Sequence, residues 1–183
     1  MKDAILFVHG VGSTGAIWNP QICSLSNDYR AIAIELRGNG AASDPPPETI
    51  TREGFVDDVL AAADAETIQR FHFVGCSLGG VVGFELYKRA PERVRSLTFV
   101  GSFAAYPDAN AYVSSIRQAV LAAGSMPAFA GERAAKLGLP AHRMAETIDQ
   151  MACKSVESYL ASTQATWTGD YRSMLPTIAV PTL

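Results

Sequence analysis

The sequence has no long hydrophobic run and no marked excess of charge of one sign. No stretch approaches the roughly 18 apolar residues that a membrane-spanning helix needs, and the apolar start is too short for a signal peptide. Its 15 Lys and Arg against 18 Asp and Glu leave a formal charge of −3, so there is no basic footprint for nucleic acid. We expect a soluble, cytoplasmic protein that binds neither membranes nor nucleic acid.

Cysteine is also scarce. Cys23, Cys76 and Cys153 are an odd number without the spacing of a disulfide framework, which favours reduced thiols. No cluster of metal-ligand residues and no complete cofactor motif is present, so we expect no metal and no cofactor. The 48% apolar and 18% charged residues among 183 are typical of one folded domain rather than a disordered chain.

Four short apolar runs predict the strands of an α/β fold, at 4–8, 31–34, 71–74 and 97–100. Each run is nearly continuous rather than alternating, which is typical of parallel strands covered on both faces. Helical patterns lie between the runs, and one of them, over 77–90, ends where Pro91 excludes a helical residue before it. Alternation of strand and helix predicts a parallel sheet with right-handed crossovers and flanking helices.

The pattern changes after the fourth predicted strand. Tyr112, Ile116 and Val120 recur at four-residue spacing, which predicts amphipathic helices inserted between two strands of the sheet. We expect a helical lid over the sheet edge where ligands bind in open α/β folds, with additional core helices as the alternative. The predicted division is a core over 1–104, a lid over 105–170 and the truncated start of a fifth core strand over 171–183, around Ile178.

Residues 75–80, Gly-Cys-Ser-Leu-Gly-Gly, match the pattern G-x-S-x-G with Ser77 at its centre. The pattern follows a predicted strand and opens a predicted helix, the context in which a serine nucleophile sits on a strained turn with its oxygen exposed. Gly75 and Gly79 are expected because the chain approaches itself too closely there for side chains. The alternative is a glycine-rich turn with a serine helix cap.

The loop after the first strand, residues 9–13, supplies a second candidate element. Transfer of an acyl group to a serine needs two hydrogen-bond donors for the negatively charged oxygen that develops on the substrate. One is expected to be the amide of Leu78, directly after the serine, and the other the amide of Val11, which has a glycine on each side. Together they form the predicted oxyanion hole.

The same loop offers a rival interpretation. Gly10, Gly12 and Gly15 form G-x-G-x-x-G, and Glu35 lies twenty residues further on, as in dinucleotide-binding proteins. That arrangement requires the helix to begin inside the glycine run, which would leave Pro20 in the helix interior without an amide to donate. It also leaves Ser77 unexplained, so we favour the oxyanion loop.

Together these motifs resemble the α/β-hydrolase family. The matching segments are His9-Gly10-x-Gly12 with Trp18, residues 35–40 with Ser43 and Asp44, residues 75–80, residues 91–94, and residues 180–183. Within the family the pattern is similar to the lactonase and esterase branch that includes β-ketoadipate enol-lactone hydrolases. Glu35 and Asn39 depart from it, because the family usually has aspartate and histidine there.

The resemblance implies a serine hydrolase that attacks a small ester, lactone or thioester and forms an acyl-enzyme on Ser77. It also implies that the catalytic acid and histidine follow the serine, beyond Leu183, so the chain alone is expected to be almost inactive and to dimerise through an exposed sheet edge. His9, His72, His142 and Asp108 are the other candidates for a base or an acid, but we expect His9 to be a structural residue of its loop and none of the four to belong to the triad. The alternatives are a cofactor-free haloperoxidase or lyase on the same scaffold, or a non-catalytic binding protein.

Overall fold

Four parallel strands form a single sheet in the computed structural model, which describes residues 2–40 and 45–183. The strands are β1 (Ala4–Val8), β2 (Arg30–Ile34), β3 (Phe71–Cys76) and β4 (Val94–Val100). Their spatial order is β2-β1-β3-β4, with every pair parallel. All four lie where the apolar runs predict them, although β3 ends two residues later and β4 begins three residues earlier than predicted.

Seven α-helices accompany the sheet in the described part of the chain. They are α1 (Asn19–Leu25), α2 (Arg52–Ala65), α3 (Leu78–Arg89), α4 (Ala109–Ala123), α5 (Met126–Ala135), α6 (Ala141–Ala152) and α7 (Val156–Trp167). Local chemistry sets their ends. The Thr51 hydroxyl accepts a hydrogen bond from the Gly54 amide and starts α2, while Gly124 in the left-handed conformation stops α4.

The two faces of the sheet are covered by different groups of side chains. On one face, Leu6 and Phe73 pack with Phe55 and Val59 of α2. On the other, Phe7 and its neighbours pack beside Trp18 and α1. Every residue of β1 is buried, whereas β2 lies at the sheet edge and is largely half-buried. The continuous apolar runs therefore indicate strands correctly but do not distinguish the centre of the sheet from its edge.

Helices α4–α7 form a second, smaller core of their own. Ile116 and Val120 of α4 pack with Phe129 of α5, Met151 of α6 and Tyr159 of α7. The loop after β1 touches both cores through Val11. The segment predicted as inserted helices is thus helical and packs against the loop that follows the first strand. We call α4–α7 the helical segment.

The chain after α7 differs from the predicted fifth strand. Residues 172–177 form a short 3₁₀ helix, and no strand begins at Ile178. The amide of Ala179 donates instead to the Tyr87 hydroxyl at 2.9 Å, and Pro181, two residues later, has no amide to donate. Pairing beside β4 is confined to residues 181–183, where Leu97 exchanges backbone hydrogen bonds of 3.0 Å with Pro181 and Leu183.

Ser43 and Asp44, which contribute to the family resemblance, lie outside the described residues. From Pro47 to Thr49 the chain forms one 3₁₀ turn. Among the helices in 2–40 and 45–183, none combines the length and the apolar character required to cross a bilayer.

Candidate active site

Ser77 occupies the junction between β3 and α3, with backbone angles φ = 51° and ψ = −108°. A residue other than glycine seldom adopts a positive φ, and such strain costs about 1–3 kcal/mol. Hydrogen bonds hold the turn on both sides. The Ser77 amide donates to the Val100 carbonyl at 3.0 Å, and the Gly80 amide donates to the Ser77 carbonyl at 2.9 Å. The predicted sharp strand-to-helix turn is therefore present.

The two glycines that flank the serine lie where the backbone approaches itself. A Cβ atom on Gly75 would overlap the carbonyl of Gly79, and a Cβ atom on Gly79 would overlap the carbonyl of Val8. Backbone atoms cannot swing aside as a flexible side chain can. Close approach, rather than an unusual φ angle, thus explains why both positions are glycine.

The glycine-rich loop after β1 faces the serine. A Cβ atom on Gly10 would lie 3.3 Å from Ser77 Cβ and 3.9 Å from Ser77 Oγ, so the two residues are neighbours. The loop turns back through a 3.2 Å hydrogen bond from the Ser13 amide to the Gly10 carbonyl. Within the described part of the chain, the amides of Val11 and Leu78 donate to no backbone or side-chain acceptor. For Leu78 this is expected, because the first residue of a helix has no acceptor within the helix.

His9 supports this loop from beneath. It is fully buried, with Nδ1 2.9 Å from the Gly10 carbonyl and Nε2 3.3 Å from the Leu36 amide. Nε2 also lies 3.0 Å from Glu35 Oε1. Burial alone would raise the pKa of Glu35, but His9, the Gly15 amide and Lys154 together lower the pKa below its ordinary value. His9 is therefore a structural residue, as the sequence indicates.

These contacts decide against the dinucleotide interpretation of the glycine run. Helix α1 begins at Asn19 rather than inside the run, and Pro20 lies in its first turn. The carboxylate expected to bind a ribose instead accepts a 3.2 Å hydrogen bond from the Gly15 amide through Glu35 Oε2. Gly15 and Glu35 of that pattern therefore hold the glycine-rich loop against the end of β2.

Lys154, between α6 and α7, connects the helical segment to the same loop. It is only 8% exposed, and Nζ donates to Asn39 Oδ1 at 2.6 Å and to the Ser13 carbonyl at 3.2 Å. Burial lowers its pKa to about 8, although the nearby Glu35 charge opposes this. Glu35 and Asn39 are the two positions that depart from the family pattern, and both face this lysine. No motif in the sequence predicted the contact.

A cavity of about 240 Å³ opens above Ser77. Its floor is the glycine-rich loop with Cys76 and Ser77. Its roof comes from α4–α7, namely Tyr112, Arg133, Met151, Tyr159 and Trp167. Met151 and Trp167 line the cavity, whereas Met144 of the same helical segment does not. The sequence alone does not single out Arg133, because nothing in its position along α5 distinguishes it from any other arginine on a helix.

The ionisable groups considered as alternative triad members do not contact Ser77. His9 is engaged beneath the loop, and His72 Nδ1 lies 2.7 Å from Ser96 Oγ near the start of β3. Asp108 is exposed at the beginning of α4. The side chain of His142 lies outside the described residues. The described residues thus supply a nucleophile position without a general base beside it.

The fold, the strained serine and the glycine-rich loop define a class of protein, and comparison with known proteins agrees with it. The family described as alpha/beta hydrolase fold matches residues 3–180. The chain belongs to the α/β-hydrolase family.

Individual relatives are similar over nearly the whole chain. One is "Putative carbamate hydrolase RutD" of Yersinia enterocolitica, 29% identical over 95% of this chain and 66% of its own length. Another is 3-oxoadipate enol-lactonase 1 of Acinetobacter baylyi, 28% identical over 98% of this chain and 68% of its own length. A solved structure of a hydrolase from Pseudomonas aeruginosa superposes with a TM-score of 0.87 at 28% identity, over 99% of this chain and 70% of that one. The chain thus spans about two-thirds of the length of these relatives, and 56% of a second carbamate hydrolase relative, from Rhizobium rhizogenes.

Proposed function

We propose that the protein is a serine hydrolase in which Ser77 attacks the carbonyl of a carboxylic ester, lactone or thioester. The observation that carries this proposal is the strained Ser77 turn opening into a cavity beside the glycine-rich loop. Protein chains rarely keep a strained non-glycine residue unless its geometry serves a purpose. The relatives named as a carbamate hydrolase and an enol-lactonase support hydrolysis at a carbonyl carbon.

The proposed reaction has two stages. Ser77 Oγ bonds to the substrate carbonyl carbon while a general base takes its proton, and the leaving oxygen or sulfur departs with a proton to give an acyl-enzyme. Water then attacks the acyl group, and Ser77 regains its hydrogen. The amides of Val11 and Leu78, which have no other acceptor among the described residues, would hold the negative oxygen in both stages. Losing one such donor slows related enzymes by about 10²–10³-fold.

Among residues 2–40 and 45–183, no general base lies beside Ser77. A serine hydroxyl without a base is a weak nucleophile, and loss of the histidine of a comparable triad lowers kcat by about 10⁶-fold. We therefore expect the 183-residue chain by itself to hydrolyse esters very slowly. The helical segment α4–α7 would act as the lid, since its side chains form the roof of the cavity.

The cellular setting is a further part of the proposal. The three cysteines are unpaired, which fits a cytoplasmic location.

Dimerisation through the sheet edge also stays a prediction, because residues 181–183 cover only part of β4 and Leu183 is 87% exposed. Size-exclusion chromatography with light scattering would distinguish a dimer from a monomer.

Labelling with a fluorophosphonate tests the nucleophile directly. The protein is incubated with the probe for several hours, and the modified residue is identified by mass spectrometry. We expect slow modification at Ser77, loss of it in Ser77→Ala, and no change in Ser115→Ala, which alters an exposed serine of α4. Modification elsewhere, or p-nitrophenyl acetate hydrolysis that survives Ser77→Ala, would show that the assignment is wrong.

A further inference from the structure

Arg133 differs from the other side chains around the cavity. It lies on α5 and is the only charged residue among the described residues that line the space above Ser77. No carboxylate of the described chain lies within ion-pair distance of its guanidinium. Its one hydrogen bond runs from Nη2 to the Tyr112 hydroxyl at 3.2 Å. A positive charge therefore faces the proposed substrate without a partner of opposite sign.

Two other arginines of the chain, by contrast, pair with a carboxylate. Arg37 meets Asp58 with hydrogen bonds of 2.8 and 3.0 Å, and Arg93 meets Asp64 at 2.8 Å. Both are partly buried, as Arg133 is. Withdrawing a charge from water without a partner is unfavourable, so such a group in a cavity is available to a ligand.

The surroundings keep Arg133 charged and leave its donors open. Burial alone would lower the pKa of the guanidinium, but the hydrogen bond to Tyr112 and the phenol groups of Tyr159, Tyr112 and Tyr106 raise it. A guanidinium has five N–H donors, and one bond to Tyr112 leaves most of them free. Tyr112 and Tyr159 line the same cavity and can add their hydroxyls to an anion bound there.

We propose that Arg133 binds a carboxylate of the substrate, so that the acyl compound attacked at Ser77 carries a second, anionic carboxyl group. This inference rests on the proposed function, since it names the substrate class of the same site. The planar guanidinium fork matches a carboxylate through two parallel hydrogen bonds. A single positive charge suits a monoanion better than a phosphate dianion. The cavity of about 240 Å³ is smaller than the roughly 300–1,000 Å³ that drug-sized ligands need, which favours a short-chain acid.

Binding can be measured without any hydrolysis. Glutaramate, which has one carboxylate and one amide, is compared with the neutral glutardiamide. The fluorescence of Trp167 reports occupancy, because its ring lies 4.4 Å from Tyr112 in the cavity roof. Trp18, the other tryptophan, is buried against Phe7 and does not line the cavity, so it serves as the constant background. Isothermal titration calorimetry gives the dissociation constants independently.

We expect glutaramate to bind about tenfold or more tightly than glutardiamide, because charge-assisted hydrogen bonds to arginine are the strong ones. Arg133→Gln should remove that preference, whereas Lys136→Gln, which alters an exposed cation just after the same helix, should keep it. Arg133→Lys retains the charge but not the fork and should keep part of the preference. If Arg133→Gln fails to fold, the affinities of Arg133→Lys for the two ligands still test the proposal.

Three results would overturn the inference. They are equal affinity of the unmodified protein for the two ligands, an unchanged preference in both Arg133 variants, and tighter binding of inorganic phosphate than of glutaramate. Fluorophosphonate labelling separates this inference from the hydrolase proposal. Labelled Ser77 with no role for Arg133 would reject only the substrate class, and an Arg133-dependent preference with unlabelled Ser77 would reject only the hydrolase.

Discussion

The floor and the roof of the cavity are built in different ways. The floor is backbone, where a side chain on Gly75 would overlap the Gly79 carbonyl, a side chain on Gly79 would overlap the Val8 carbonyl, and the loop at Gly10 lies against Ser77. The roof is side chains, where Tyr112, Trp167 and Arg133 project from helices into the cavity. A change in the floor therefore alters the fold itself, whereas a change in the roof alters what the cavity accepts.

The difference also extends to the way each part is supported. Strands on both sides hold the floor, with His9 and Glu35 beneath it. The roof has its own small hydrophobic core, and Lys154 is a polar contact between it and the floor. The two parts should respond separately to mutation except at the contacts that join them, which are Lys154, the 3.0 Å hydrogen bond from the Ser13 hydroxyl to Gln150 Oε1 and the packing of Val11.

The largest effect is expected from a single methyl group in the floor. In Gly79→Ala the added Cβ overlaps the Val8 carbonyl, and backbone atoms cannot move away without disturbing β1. We expect the free energy of unfolding to fall by about 3 kcal/mol or more. Urea denaturation followed by circular dichroism measures it.

Gly131→Ala is the matched control in the roof. Gly131 is inside α5, and apart from its chain neighbours and the nearby backbone of that helix no atom lies within 4 Å of the position that its Cβ would take. Alanine is the better helix former, so this variant should be more stable by up to about 1 kcal/mol. A similar loss in both variants would remove the distinction between a tight floor and a tolerant roof.

This contrast also explains what could be predicted from the sequence. Gly75, Ser77 and Gly79 were identifiable because a backbone constraint restricts residue type at fixed spacing. Arg133 was not, because its role depends on where α5 packs, and no local pattern encodes that. Parallel pairing beside β4 begins at residue 181 rather than at Ile178 for a related reason, since the amide of Ala179 is engaged by the Tyr87 hydroxyl, a tertiary contact that no local pattern encodes.

The next effect concerns the contact between floor and roof. Lys154 has a pKa of about 8 in the folded protein, mainly because of burial, against 10.5 ordinarily. Between these two values the unfolded chain holds a proton that the folded chain has released, so the free energy of unfolding should rise with pH. Below pH 8 the lysine is charged in both states, and the full penalty for burying the ammonium remains.

Lys154→Met should remove this rise. Chemical denaturation at pH 8 and pH 10 is expected to give an increase in stability larger in the unmodified protein than in the variant, by on the order of 2 kcal/mol. Burial raises the pKa of Tyr159, which acts in the opposite direction, but that effect is common to both proteins and cancels in the comparison. Lys136→Met, at an exposed position, should retain the rise. Parallel pH curves for all three proteins would mean that Lys154 is not desolvated.

The smallest effect tests whether the floor stores strain at the proposed nucleophile. Glycine adopts φ = 51° easily, so Ser77→Gly should release part of the 1–3 kcal/mol of strain, although the freedom that glycine adds to the unfolded chain offsets some of it. We expect Ser77→Gly to exceed Ser77→Ala in stability by about 1 kcal/mol. Alanine keeps the strained backbone and removes only the oxygen, so it isolates the conformational contribution. Thermal melts of the two variants measure the difference. If Ser77→Ala is as stable as Ser77→Gly, the turn stores no strain, and the positive φ of Ser77 no longer supports the proposed function.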